Sequence, residues 1–263
     1  SARKAAALQA WREWMPVSEQ PWRAYEIGDL ATLFRTETRL LARSRPPALE
    51  ELLRGASNPV SALTAFREGA WTDPARTMMG LEQEAWLYDG LRRSVRARKA
   101  WQLVGTGTIM GRTATPPRVA DWLPPDAPDF VRDRVRASLV AARAGLPNNL
   151  DNWGGYPAAR AFELTQDGRA AGVEFDGQSV TSPGYESAFA RIAPAEVARA
   201  LVEANPELKW MDSSGRGYMT VTLTPEAATG EWLFLDTVRD RSDRIARTHR
   251  LRTRRGRKRL EAV

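Results

Sequence analysis

The chain contains no cysteine and a single histidine, and both scarcities remove chemistry before any motif is read. Without thiols there are no disulfides, no thiolate metal sites and no cysteine nucleophile, and such a protein suits either side of a membrane. The lone histidine, His249, lies in an arginine-rich stretch whose charge disfavours a dication, so it reads as a solvated surface residue rather than a metal ligand. With one histidine, no Ser–His nucleophilic pair is legible. No run of eighteen apolar residues spans a bilayer. A Walker A sequence is missing, and Gly105-Thr106-Gly107 lacks the third glycine and helix start of a dinucleotide fingerprint. The sequence opens at Ser1 with no charged-then-apolar leader, so a targeting peptide is expected to be absent or already removed.

What is present is globular. The 263 residues are 43% hydrophobic with ten tryptophans, enough for a full core in one large domain or two small ones. The formal charge of +7 comes from 39 basic and 32 acidic residues, and much of the excess sits in 244–263, where Glu261 is the only acid. That basic tail has two readings. It grips nucleic acid or an anionic lipid surface, or it is a final edge strand with arginines on its wet face and a frayed end. No aromatic interleaves it, which weakens base stacking as a mode.

Periodicity assigns the elements. Leu8, Trp11 and Met15 share a helical face that Pro16 ends. Residues 25–34 read as one strand-like apolar run. Residues 44–75 read as a long surface excursion with a short helix at about 48–53, followed by a helix over about 80–93. Trp101 to Met110 reads as a buried strand, 116–128 as a proline-rich loop and 130–144 as a helix closed by Gly145. Pro194 opens a helix whose Val197, Ala198, Leu201 and Val202 share a face, with Asn205-Pro206 at its end. Residues 217–224 alternate strictly and pair with 231–238 through a 225–230 connection, giving a hairpin. Strands mixed with helices in this order indicate an α/β or α+β fold, with no internal repeat.

One stretch carries a lineage: LPNNLDNWGGYPAARAFELTQDGRAAGVEFDGQSVTSPGYES, residues 146–187. It resembles a segment near the C-terminal end of the alkaline phosphatase D (PhoD-like) metallophosphoesterases. Glu13-Trp14-Met15-Pro16-Val17 is similar to another family block, as are Gly28-Asp29-Leu30-Ala31 with Thr38-Arg39, where Glu37 stands in place of the usual Asp. So are Asp73-Pro74, Arg76-Thr77-Met78, Gly80 with Gln83 and Trp86-Leu87, Trp101 to Met110, Asn205-Pro206, Gly217-Tyr218 and Asp236-Thr237-Val238. The resemblance implies a partial calcineurin-like sandwich of two sheets flanked by helices. It spans 1–263 as a single incomplete domain with 244–263 as its basic C-terminal strand or tail.

The resemblance also implies metal-dependent hydrolysis of phosphate monoesters or diesters by a bacterial hydrolase, exported to the periplasm or beyond by the twin-arginine route. Complete relatives use a cluster of divalent or trivalent metals such as calcium and iron. Here the family's N-terminal metal motifs are missing. So is its Ser-Gly-Asp-x-His segment: Arg160 runs straight into Ala161 and Phe162. The expectation is a truncated, internally deleted relative with no metal or other cofactor of its own and impaired turnover. The alternative is a non-catalytic remnant that binds anionic partners through its tail.

The candidate site is the loop of Asn148, Asn149, Asp151, Asn152 and Trp153 before the Gly154-Gly155 turn. Its amide and carboxylate oxygens suit contact with phosphate, metal or carbohydrate. They equally suit Asx capping of a turn with Trp153 and Tyr156 packed beneath it. Asn149, Asp151 and Arg39 are the residues expected to act. The Arg39 guanidinium fits a phosphate oxygen, or holds a buried carboxylate such as Asp29. Ser182-Pro183-Gly184 reads as a bend.

Overall fold

The computed structural model describes residues 2–15, 20–164 and 171–263, the side chains of 161–164 aside. The Pro16 helix stop and the Asp167-Gly168 portion of the family-like stretch lie outside the described residues. In chain order the elements begin with α1 (Ala2–Trp14), β1 (Arg23–Ile27), β2 (Ala31–Arg35), α2 (Leu49–Leu53) and α3 (Pro59–Glu68). Next come α4 (Leu81–Arg96), β3 (Trp101–Gly105), α5 (Asp129–Arg143), α6 (Pro157–Leu164) and α7 (Pro194–Ala204). The strands β4 (Gly217–Leu223), β5 (Ala227–Leu235), β6 (Ile245–Arg254) and β7 (Glu261–Ala262) close the chain. The fold is mixed α/β, with two sheets flanked by helices, of orders β1-β2-β3 and β4-β5-β6-β7. Among the described residues no helix is long and apolar enough to cross a membrane.

The chain divides into two compact units, residues 1–41 with 79–107 and residues 42–78 with 108–263. In the first unit β2 pairs antiparallel with β1 and parallel with β3. The parallel pairing needs a crossover, and α4 supplies it. β2 is the buried strand: Ala31, Thr32 and Phe34 are each at most 3% exposed. The Phe34 ring meets Trp86 of α4 edge-on, with centroids 5.8 Å apart. The Thr32 and Ser94 hydroxyls share a hydrogen bond of 2.8 Å.

The single run expected over 25–34 is instead a hairpin. Gly28 adopts φ +49°, and the Leu30 amide donates to the Ile27 carbonyl at 3.0 Å. An apolar run with one glycine does not announce that it reverses. The strand expected over Trp101–Met110 is shorter, and it is only half-buried at its start and exposed at Val104 and Gly105, because β3 is an edge strand.

Among the described residues the second unit shows several apolar clusters. The stretch over 44–75 is more than a surface excursion. Asn58 caps α3, its side chain accepting from the Ser61 amide at 3.0 Å, and Pro59 occupies the first turn. Leu63 of α3 is then fully buried with Ala141, Ala144 and Leu146, and Leu52, Phe66 and Trp71 pack round them. The proline-rich loop is likewise structured. A short 3-10 turn at Pro117–Trp122 buries Val119 and Trp122 against Phe189, Val197 and Leu201. α5 ends as expected at Gly145, φ +74°, with the Leu146 amide reaching back to Ala141 O at 2.9 Å.

In the second sheet β5 alternates without exception, burying Ala228, Gly230, Trp232 and Phe234 and leaving the residues between half-buried. The hairpin turn is tighter than the expected 225–230 connection. Thr224 Oγ1 accepts from the amides of Glu226 and Ala227 at 3.2 and 3.0 Å, and the Thr224 amide donates to Ala227 O at 2.8 Å, so the strands are in register from Leu223–Ala228. The basic stretch forms β6, paired with β5 along its length and with β7 at Leu251 and Arg252. On its outer face Arg250 pairs with Glu231 at 2.7 Å, and Arg252 and Arg254 share Glu261 at 2.8 Å each.

Candidate functional site

The loop between α5 and α6 is built by its own polar side chains. Leu146 and Leu150 are buried pegs, and the Asn148 amide donates to Thr113 O at 2.8 Å. Asn149 Oδ1 then accepts from the Asp151 amide, and Asn152 Oδ1 from the Gly154 amide, both at 2.8 Å. These are Asx turns, in which a short side chain imitates a backbone acceptor. The chain tightens into a 3-10 turn at Trp153–Gly155. Gly155 is obligatory there, because a Cβ would overlap the Leu150 carbonyl. Trp153 (1% exposed) and Tyr156 (0%) fill the space beneath, and Trp71 Nε1 donates to Gly154 O at 2.8 Å.

The carboxamides of Asn149 and Asn152 are thus engaged in holding the loop. Asp151 is different: its side chain is 48% exposed and meets Arg43 Nη1 at 2.8 Å. Arg43 Nη1 also donates to Asp151 O at 3.0 Å. Ser44 O accepts from the Tyr156 hydroxyl at 2.6 Å, and the Arg76 guanidinium lies over the Tyr156 ring, 5.0 Å from its centroid. Burial pushes the Tyr156 hydroxyl above its ordinary pKa; Arg43 and Arg76 pull it down, and Asp151 adds to the upward push. Sequence reasoning passed over Arg43 altogether and took Arg76 only as part of a family block. Two arginines 33 positions apart carry no local spacing signal, and only the fold brings them to one ring.

Arg39 belongs to the other unit, where the segment after β2 is pinned from within. Glu37 folds its carboxylate back onto its own chain, accepting from the Arg39 and Leu40 amides at 2.7 and 2.8 Å and from Leu41 at 3.0 Å. Gln83, 1% exposed, clasps the Glu37 backbone from both sides, at 2.7 and 2.8 Å. Arg39 itself is exposed. Asp29 is not the buried carboxylate it was expected to be. Its side chain is fully exposed, with Lys99 Nζ 3.9 Å away.

His249 is not a solvated surface residue either. Its ring stacks on Trp210, with centroids 3.9 Å apart and planes 9° apart, while Nε2 is buried with no hydrogen-bond partner. Desolvation, and then the charge of Arg247, holds its pKa below the ordinary 6.5. The neutral ring is therefore the form the fold prefers. A histidine depressed in the native state stabilises it fully above the unfolded value, and that contribution falls away as pH drops below about 6.5 toward the folded value. Urea midpoints measured at ~pH 8 and ~pH 5 are expected to converge when His249→Gln is introduced. An unchanged gap would show that other groups set the acid sensitivity.

Glu174 grips the Met110 and Gly111 amides at 2.7 and 2.8 Å. Nearby Asp176 is pushed up to about 7 by burial and by Glu174. Asp176 is nonetheless an exposed residue, and water screens that push. Among the described residues no three His, Asp or Glu side chains gather closely enough to hold an ion. The donors among the described residues do not by themselves fit a two-metal phosphoesterase site, which clamps phosphate oxygens between clustered cations.

The sequence matches the family described as PhoD-like phosphatase over residues 1–170 and 161–232. None of the curated proteins matches it. A solved structure titled "Structure of PhoD" superimposes with a TM-score of 0.60 at 16% identity, over 99% of this chain and 49% of that one. At that identity the likeness concerns the fold. The chain spans about half the length of that protein.

Proposed function

The chain belongs to the PhoD-like phosphatase family, and from that premise we propose that it is part of a phosphate-ester hydrolase whose catalytic metals need ligands beyond those in its described residues. The absence of a three-donor cluster among those residues carries the reading. What this chain contributes is positioning: the Asx-turned loop holds Asp151 and, through Arg43, a cation at a half-exposed face. On this reading 1–263 is one incomplete catalytic domain, with Asn149 shaping the loop and Asp151 orienting Arg43; a direct role for Arg39, in the other unit, rests on the sequence resemblance. Family membership is also what supports export across a membrane.

A second reading is favoured by one observation at the β6–β7 turn. Arg255, Arg257, Lys258 and Arg259 form no ion pair with any described carboxylate. Four unneutralised cations on one hairpin tip attract a polyanion by counterion release.

One purified sample tests both readings. Elemental mass spectrometry with bis-p-nitrophenyl phosphate hydrolysis is expected to give no stoichiometric metal and no turnover from this chain. Two bound metals with turnover would overturn the first reading and direct attention to Asp151. Titration with duplex DNA across a salt series is expected to show binding that weakens steeply with salt and is lost when the four tip cations become Ser. Salt-insensitive binding would remove the second reading.

A further inference from the structure

The side chains packed round Tyr156, in the second unit, hold more positive charge than the loop requires. Arg43 is 14% exposed and spends one nitrogen on Asp151, its carboxylate and its carbonyl both. Arg76 has no ion pair with a described carboxylate. Its terminal nitrogens reach only long contacts, 3.4–3.5 Å, to the carbonyls of Arg45 and Gly155. Its Nε is buried and has no partner. The cluster thus carries two fixed guanidiniums and one carboxylate.

An unused N–H on a part-buried guanidinium is unfavourable, because water has been stripped from it and nothing has replaced it. Stacking on the Tyr156 ring fixes the plane of Arg76 without using its donors. What completes such a group is an acceptor with several oxygens in a compact shell, and the guanidinium fork fits a tetrahedral oxyanion in two-pronged fashion. Packing alone would be served equally by a residue with no donors to satisfy.

We propose that Arg76, with Arg43 beside it, is a seat for the phosphoryl oxygens of a phosphate ester or of free phosphate. Asp151 tunes the seat, since its half-exposed carboxylate competes with an arriving anion for Arg43. The phosphatase reading supplies only the choice of anion; the unmatched charge stands without it.

The seat is tested on the intact chain by following arginine Nε–H resonances during titration with inorganic phosphate and with phenyl phosphate, at neutral pH and constant ionic strength. A saturable shift of the Arg76 resonance is expected, with a dissociation constant on the order of millimolar. Arg76→Gln is expected to weaken binding by about tenfold or more, the loss of a charge-assisted pair. Asp151→Asn is expected to tighten it about threefold by releasing Arg43. Arg92→Gln, on α4 of the other unit, is expected to change nothing.

Should Arg76→Gln fail to fold, Arg76→Lys carries the test, keeping a charge while losing the fork. Tighter binding of the ester would identify the ester as ligand, and equal binding would identify free phosphate. No saturable shift, or equal affinity in wild type and both Arg76 variants, overturns the seat. Phosphate binding in a sample without metal or turnover upholds the seat independently of the catalytic reading.

Discussion

Trp153→Ala is expected to lower the unfolding free energy by about 3–5 kcal/mol, the usual consequence of emptying a buried tryptophan site. Trp153 is 1% exposed and stands at the start of a 3-10 turn whose next backbone groups are already committed. Asn152 holds the Gly154 amide, Trp71 holds the Gly154 carbonyl, and Gly155 abuts Leu150. The turn therefore cannot collapse inward to fill the void, and a site that cannot relax pays the full cavity term. The loss should be local in character too, with Trp71 releasing its carbonyl and the Arg43–Asp151 pair becoming mobile. Urea unfolding gives the magnitude, and the Trp71 indole N–H resonance reports the release. A loss under about 1 kcal/mol would show that the loop is held by its Asx turns and not by this ring. Trp153→Phe, which keeps an aromatic body, should recover a substantial part.

The second large effect is expected at Gly217, the first residue of β4. Its φ of +156° and its closeness to β5 leave no room for a side chain. A Cβ would overlap the Leu233 carbonyl, and Gln178 Nε2 would be 3.0 Å from it. That carbonyl is held in place, because Gln178 Nε2 donates to it at 2.9 Å and to Tyr218 O at 3.0 Å. The obstruction is backbone, so no rotamer change relieves it. Gly217→Ala is expected to cost about 3 kcal/mol or more, above the ordinary range for added methyl groups in a packed site. It should loosen the β4–β5 pairing from the Gly217–Phe234 end first. Amide exchange would show it as faster exchange at Tyr218 and Leu233 than at Leu223 and Ala228. Uniform exchange along the hairpin, with stability unchanged, would mean that β4 shifts aside without cost.

Several elements were legible because their signals are local. Pro194 and Asn205 bracket α7, Gly145 stops α5, and strict alternation marks β4. The misread segments have two causes. α3 and the 3-10 turn at Pro117–Trp122 are decided by what their apolar residues meet, and proline or glycine counts carry none of that. The β1–β2 turn and the tight Thr224–Ala227 turn rest instead on one glycine and one hydroxyl whose conformations the residue order does not announce. The candidate loop shows both sides. Asn149 and Asn152 were placed correctly at a turn because an Asx turn is a two-residue affair. Its arginines were not anticipated, because Arg43 and Arg76 come from a segment more than seventy positions upstream.

The sequence by itself determined the family, the mixed α/β class and the chemical exclusions that follow from no cysteine and one histidine. Those properties reside in ordered local blocks and in composition, and both survive without coordinates. Tertiary structure alone decided that His249 stacks on Trp210, that Gln83 clasps the Glu37 backbone and that Arg76 is left on the Tyr156 ring with an unused donor. Burial, stacking and charge balance depend on distances between residues far apart in the chain, and the order of residues does not contain those distances.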